Sequence, residues 1–143
     1  GEQALAVPGE TLLPGWHVTT QFVAPKARAE ECPNFSRTES VASHATYVTY
    51  DSLDGLLLVR ARRPGDRFQP AGMTTSKKLQ DFMVDSKIPR HWRDRVPLVV
   101  SSRGIIWVVG WRIAEWATAG HRDTEQLAIR FIAQGQREVH GIR

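Results

Sequence analysis

The most constraining feature of this chain is a two-residue rhythm of apolar side chains in short runs, each cut off by turn-forming residues. Trp16, Val18, Thr20 and Phe22 fall on one side of such a run; Leu127, Ile129, Phe131 and Ala133 fall on one side of another. Successive side chains of an extended strand point to opposite faces, so this rhythm builds a half-buried sheet, not a helical stripe. Pro8-Gly9, Pro14-Gly15 and Pro64-Gly65 punctuate it. Ala45 to Tyr50 alternates as well, and Asp54-Gly55 predicts a hairpin into a strand over Leu56–Arg62, with Arg60 and Arg62 on the face opposite Val59 and Ala61. A further hairpin is expected from Pro97 to Val109 around a turn at Ser102–Gly104.

Two short helices interrupt the strands. Thr75 or Ser76 can cap the first, Leu79, Phe82 and Met83 give it an apolar face, and Lys77 and Asp81 can pair on the outside. Pro89 fits the first turn of the second, over Arg90–Asp94. The expected fold is therefore α+β and mostly β, with sandwich-like antiparallel or mixed sheets. The linear pattern divides into a β-rich extension and connecting loop over 1–44, a main domain over 45–135 and a polar tail over 136–143.

Composition narrows the function class. Hydrophobic residues make up 41% and charged residues 24% of the 143 positions, which excludes wholesale disorder. No apolar run approaches the roughly 20 residues of a membrane-spanning helix, so no membrane partner is expected. The single cysteine, Cys32, cannot form an internal bridge, which suits a reducing compartment and a cytoplasmic location. Gly1 stands where Met would, and no leader follows, as in an excised piece of a longer polypeptide. Asn34-Phe35-Ser36 matches a glycosylation triplet but is expected to be inert for want of a secretory leader.

Self-sufficient catalytic chemistry is not visible. Neither a G-x-x-x-x-G-K-S/T loop nor a G-x-G-x-x-G fingerprint occurs, and the five histidines show no metal-binding spacing. Glu30 and Glu31 flank Cys32 and disfavour a reactive thiolate, and Ser76-Lys77 is better explained as a helix cap beside a solvated lysine. No catalytic residue, metal site or cofactor is expected in this chain.

The charge is informative. Between Leu56 and Arg95 lie seven Arg and three Lys against four Asp, a net +6, whereas the remainder carries nine basic and eleven acidic residues, a net −2. Guanidinium forks on a strand, a tight turn and a lysine-rich helix start suit a row of phosphates. The opposing reading is a solvated face of ion pairs, because Asp66, Asp81, Asp85 and Asp94 are interleaved among the bases. Arg112 and Glu115, set among Trp107, Trp111, Ile113 and Trp116, are expected to form an internal ion pair, with the tryptophans in the core and base stacking as their lesser alternative.

The motifs in this region are R-x-R-R-P-G-D-R-F-Q-P from Arg60, G-M-x-x-S-K-K-L from Gly72, D-F-x-x-D-x-K-I-P-R-x-x-R-D from Asp81 and W-V-x-G-W-R-I-A-E-W-A from Trp107. In this order and spacing they resemble the C-terminal domain of tRNA(Ile)-lysidine synthetase. Ala71 and Thr75 depart from the family's pattern, where a larger apolar residue and Gly are usual. The resemblance implies an architecture like a tRNA-synthetase β-subunit domain. It also implies a parent enzyme that uses ATP, with Mg, to adenylate C2 of the wobble cytidine of isoleucine tRNA, which lysine then attacks to give lysidine. That chemistry belongs to an N-terminal P-P-loop domain with an S-G-G-x-D-S signature, absent here, so the isolated chain is not expected to be an enzyme.

The implied role is gripping tRNA near its acceptor stem, with the catalytic domain of the same polypeptide as a second partner and a homodimer as a further option. The RNA contacts expected are Arg60, Arg62, Arg63, Arg67, Lys77, Lys78, Lys87, Arg90 and Arg93. Arg67, with Asp66 after the tight turn, either touches RNA or ties that loop down. The competing function is a docking domain whose basic stretch packs on the catalytic half or a second subunit without touching RNA.

Overall fold

The structure, a computed structural model, describes residues 2–23, 43–49, 56–118 and 125–134. The strands are β1 (Gln3–Ala4), β2 (Gly9–Leu13), β3 (Trp16–Val23), β4 (Ser43–Thr49), β5 (Leu58–Arg60), β6 (Arg67–Phe68), β7 (Lys77–Lys78), β8 (Leu98–Ser101), β9 (Gly104–Val108), β10 (Arg112–Ile113) and β11 (Gln126–Ala133). The helix α1 spans Leu79–Asp85, and short 3-10 turns cover Arg90–Trp92 and Glu115–Ala117. The fold is α+β and mostly β, as the apolar rhythm predicts, and every strand pairing is antiparallel. Cys32, the Asn34-Phe35-Ser36 triplet, the Asp54-Gly55 turn and the tail lie outside the described residues.

The chain forms two compact units, one within 1–4 and 52–118, the other within 5–51 and 119–143. This grouping interleaves along the chain, whereas the partition at 44/45 and 135/136 is linear. The second unit holds one sheet in the order β2-β3-β11-β4. Its central strand, β11, lies between β3 and β4, so Leu127, Ala128, Ile129 and Phe131 are all fully buried. Ala128 packs with Val23 and Tyr47 on one face. On the other, Trp16 meets Phe131 edge-on at 5.6 Å between ring centroids. His44 lies beside Trp16, and burial holds its imidazole below its ordinary pKa.

The first unit holds a sheet in the order β1-β5-β8-β9-β10. The hairpin expected at Ser102–Gly104 forms between β8 and β9, with Ser101 opposite Gly104 and a bulge at Val99/Val100. The hairpin expected between Ala45–Tyr50 and Leu56–Arg62 does not form. β4 pairs with β11 in one sheet and β5 with β1 and β8 in the other. Local alternation specifies a strand but not its partner, and the partner is chosen by burial.

Helix α1 starts later than its expected caps. Lys77 and Lys78 pair as β7 with Phe68 and Arg67 of β6, and the Leu79 amide donates to the Asp66 carbonyl at 2.9 Å. The helix therefore opens at Lys78, without a side-chain cap. Leu79, Phe82 and Met83 form its buried face as expected, and Phe82 meets Phe68 edge-on at 5.0 Å.

At its far end the Ile88 amide donates to the Met83 carbonyl and the Lys87 amide to the Val84 carbonyl, both at 3.0 Å. This is a Schellman closure, and the two residues that such a closure brings together, Ile88 and Met83, are both buried. Lys87 occupies the left-handed position, at φ +60°, where glycine is usual. Replacing Lys87 by Gly is expected to stabilise the fold by roughly 0.5–1 kcal/mol. Denaturant unfolding of the two proteins checks this; a destabilised K87G would mean that the lysine stem, not the backbone, holds the turn.

Candidate nucleic-acid interface

The basic stretch is organised by one tight turn. Arg63-Pro64-Gly65-Asp66 closes with the Asp66 amide donating to the Arg63 carbonyl at 3.2 Å. Pro64 presets the first central residue, and Gly65, at φ +87°, takes the left-handed second position of a type II turn. The Asp66 carboxylate then accepts three hydrogen bonds: from Arg60 Nη1 (2.9 Å), Arg60 Nη2 (3.0 Å) and the Arg63 amide (2.8 Å). The Arg60 and Asp66 side chains are only 10% and 13% exposed. Burial by itself would raise the Asp66 pKa, but the hydrogen bonds from Arg60 and Arg63, with the charges of both arginines, hold it below its ordinary value.

A groove of about 530 Å³ opens beside this turn, lined by Arg62, Arg63, Pro64, Gly65, Asp66, Arg67, Lys78, Leu79, Gln80 and Asp94. It gathers four of the nine predicted contacts. Arg62 Nε donates to Asp94 at 2.8 Å, where Asp94 is 78% exposed. Arg63 reaches Glu2 at 2.7 Å, also near the surface. Arg67 donates to the Ser76 hydroxyl and carbonyl, so it does tie its loop to the strand opposite while keeping an exposed position. Lys78 is exposed and has no ion pair among the described residues.

The other five are placed differently. The Arg60 guanidinium is committed to Asp66. Lys77 pairs with Asp85 at 2.7 Å, not with Asp81, because its strand-like backbone sends the side chain past the first helical turn. Arg93 donates to the Ile88 carbonyl at 2.9 Å and is half-buried. Lys87 and Arg90 are exposed, and neither lines the groove.

The expected Arg112–Glu115 ion pair is absent. The Glu115 carboxylate accepts the Gly72 amide at 2.6 Å, and Arg112 donates to the Ala71 carbonyl at 3.2 Å. Both clamp the loop at 70–73, whose backbone also meets β10 through the Ala71 amide and the Ile113 carbonyl. Nor are the tryptophans uniformly core. Trp107 is buried, Trp116 lies under the Arg103 guanidinium at 4.4 Å, and Trp111 and Trp92 are exposed. Flanking charge is the signal that separates them: Trp107 stands in an apolar run, Trp92 between His91 and Arg93. Among the described residues no cluster of His, Cys, Asp and Glu could hold a metal ion, and no helix is long and apolar enough to cross a membrane.

The family model described as the TilS substrate C-terminal domain matches residues 57–130. A tRNA(Ile)-lysidine synthase of Dehalococcoides mccartyi is 40% identical over 94% of this chain and 27% of its own length. One from Symbiobacterium thermophilum is 44% identical over 74% of this chain and 20% of its own length. The chain thus spans about a quarter of these relatives. A solved structure titled as the crystal structure of a TILS C-terminal domain superposes with a TM-score of 0.66 at 26% identity, covering 94% of this chain and 98% of that one.

The Arg60–Asp66 pair yields a pH prediction. Because the folded pKa of Asp66 lies below its ordinary 3.8, the stabilisation is fully present above that value and is lost as pH falls through the lower folded value. Asp66→Ala strands a nearly buried guanidinium and is expected to cost on the order of 3 kcal/mol at neutral pH. Asp66→Asn should flatten the acid limb of the stability profile below pH 3.8. Thermal melts from acid to neutral pH measure both effects, and an unchanged acid limb in D66N would remove Asp66 as its source.

Proposed function

Since the chain belongs to the family of TilS C-terminal domains, we propose that it is the RNA-holding module of a tRNA(Ile)-lysidine synthase, gripping isoleucine tRNA by its acceptor stem in the cytoplasm. ATP-driven formation of lysidine is then assigned to the catalytic domain of the same polypeptide. The chain's own sequence contains no S-G-G-x-D-S signature and so contributes binding, not bond-making.

The observation that carries this reading is the convergence of Arg62, Arg63, Arg67 and Lys78 on one groove beside a rigid turn. A-form RNA is held mainly through phosphates, 2′-hydroxyls and shape, for which cations on fixed backbone suffice. The acidic partners of Arg62 and Arg63 do not oppose this. Exposed ion pairs are worth about 0–1 kcal/mol, so a phosphate with better geometry can replace Asp94 or Glu2. Arg60 and Asp66 serve underneath, as the support that aims the turn.

Each phosphate neutralised contributes about 0.7–0.9 to the slope of log K against log salt. Binding of isoleucine tRNA is expected to be salt-dependent, and Lys78→Ala and Arg67→Ala should each lower that slope by about one such increment. Filter binding or fluorescence titration at several salt concentrations measures this. Affinity indifferent to salt, or a double variant with the wild-type slope, would defeat the groove as the RNA site.

A further inference from the structure

Beside the groove, residues 87–95 form a compact knuckle. The Trp92 amide donates to the Pro89 carbonyl (2.9 Å), and the Arg95 and Val96 amides both donate to the Trp92 carbonyl (2.8 and 3.1 Å). Arg93 Nε closes the base on the Ile88 carbonyl, and Ile88 and Val96 anchor it in the core. The segment is thus held at both ends and through its middle, and at its crest it leaves Trp92 47% exposed.

A lone exposed tryptophan needs no explanation by itself. Three further observations set this one apart. The Arg95 guanidinium lies 5.7 Å from its ring centroid, and the His91 ring lies beside it at 5.8 Å. Lys87 and Arg90, in the same knuckle, are exposed and make no ion pair among the described residues, so the segment that carries the aromatic surface also carries cations without carboxylate partners. The knuckle is also continuous with the groove, because Asp94 lines the groove while bonded to Arg62 and lies between the knuckle's Arg93 and Arg95.

We propose that Trp92 is a stacking platform for an unpaired nucleobase, flanked by Lys87, Arg90 and Arg95 as contacts for the adjoining phosphates. An aromatic face offers every base a π-surface without reading its sequence, and cations around it favour a polyanion over an uncharged apolar partner. The inference rests on the RNA-holding reading above and extends it from the paired stem to a single-stranded segment next to it. An acidic protein surface would meet the cations but would gain nothing specific from a planar ring.

The experiment uses the full chain and two RNAs, a short blunt hairpin and the same hairpin with an unpaired 3′ extension. The extended RNA is expected to bind about 5- to 150-fold more tightly, the range of one stacked base. Trp92→Ala and Trp92→Leu should abolish that preference while leaving affinity for the blunt hairpin and its salt slope unchanged; Trp92→Phe should keep much of it. The leucine variant preserves an apolar cover and so separates stacking from packing, and circular dichroism monitors folding of all three. No preference for the extension in the wild type, or full preference in W92L, overturns the platform while stem binding stands. If neither RNA binds, the RNA-holding reading falls and the platform with it.

Discussion

The Arg60–Asp66 pair is the interaction on which the basic region depends. Asp66 receives both arms of one guanidinium and the amide of Arg63, and its own carbonyl takes the Leu79 amide that begins α1. One residue thereby joins the end of β5, the type II turn, the β6–β7 ribbon and the start of the helix. Two charges this little exposed pay much of their attraction back as lost hydration, so the pair is not a large net source of stability. Its consequence is geometric: the satisfied carboxylate admits only one arrangement of the turn, and the cations around the turn inherit fixed positions.

This division of labour explains how a stretch crowded with both charge signs can present a cationic groove. The carboxylate nearest the turn is consumed inside by Arg60, whereas Asp94 and Glu2 pair with Arg62 and Arg63 where water screens them. Screened pairs exchange partners at little cost. The loop at 70–73 is held in the same manner by Glu115 and Arg112, each spent on backbone instead of on the other. Acidic residues here orient loops and leave basic ones outward.

Much of the fold was legible. The alternations at Trp16–Phe22 and Leu127–Ala133 became neighbouring strands, the hairpin around Ser102–Gly104 formed, and Leu79, Phe82 and Met83 became the buried face of a helix. The illegible parts share one cause. The cap at Ser76 was displaced because Lys77 and Lys78 spent their backbone on β6, and the Asp54-Gly55 hairpin was lost because β4 and β5 were drawn to different sheets. Which tryptophan is core and which is exposed was readable from flanking charge, yet the three tryptophans of the last motif invited one treatment.

The amino-acid order by itself determined the strand-rich class, the family and the identity of the basic residues, because periodicity, turn chemistry and ordered motifs are local properties of a chain. Which cations face a common groove, which are consumed, and which carboxylate consumes them was decided only by tertiary structure. Those outcomes turn on desolvation and distance between residues far apart in sequence. Arg62 with Asp94, and Arg63 with Glu2, are partners that no spacing rule connects.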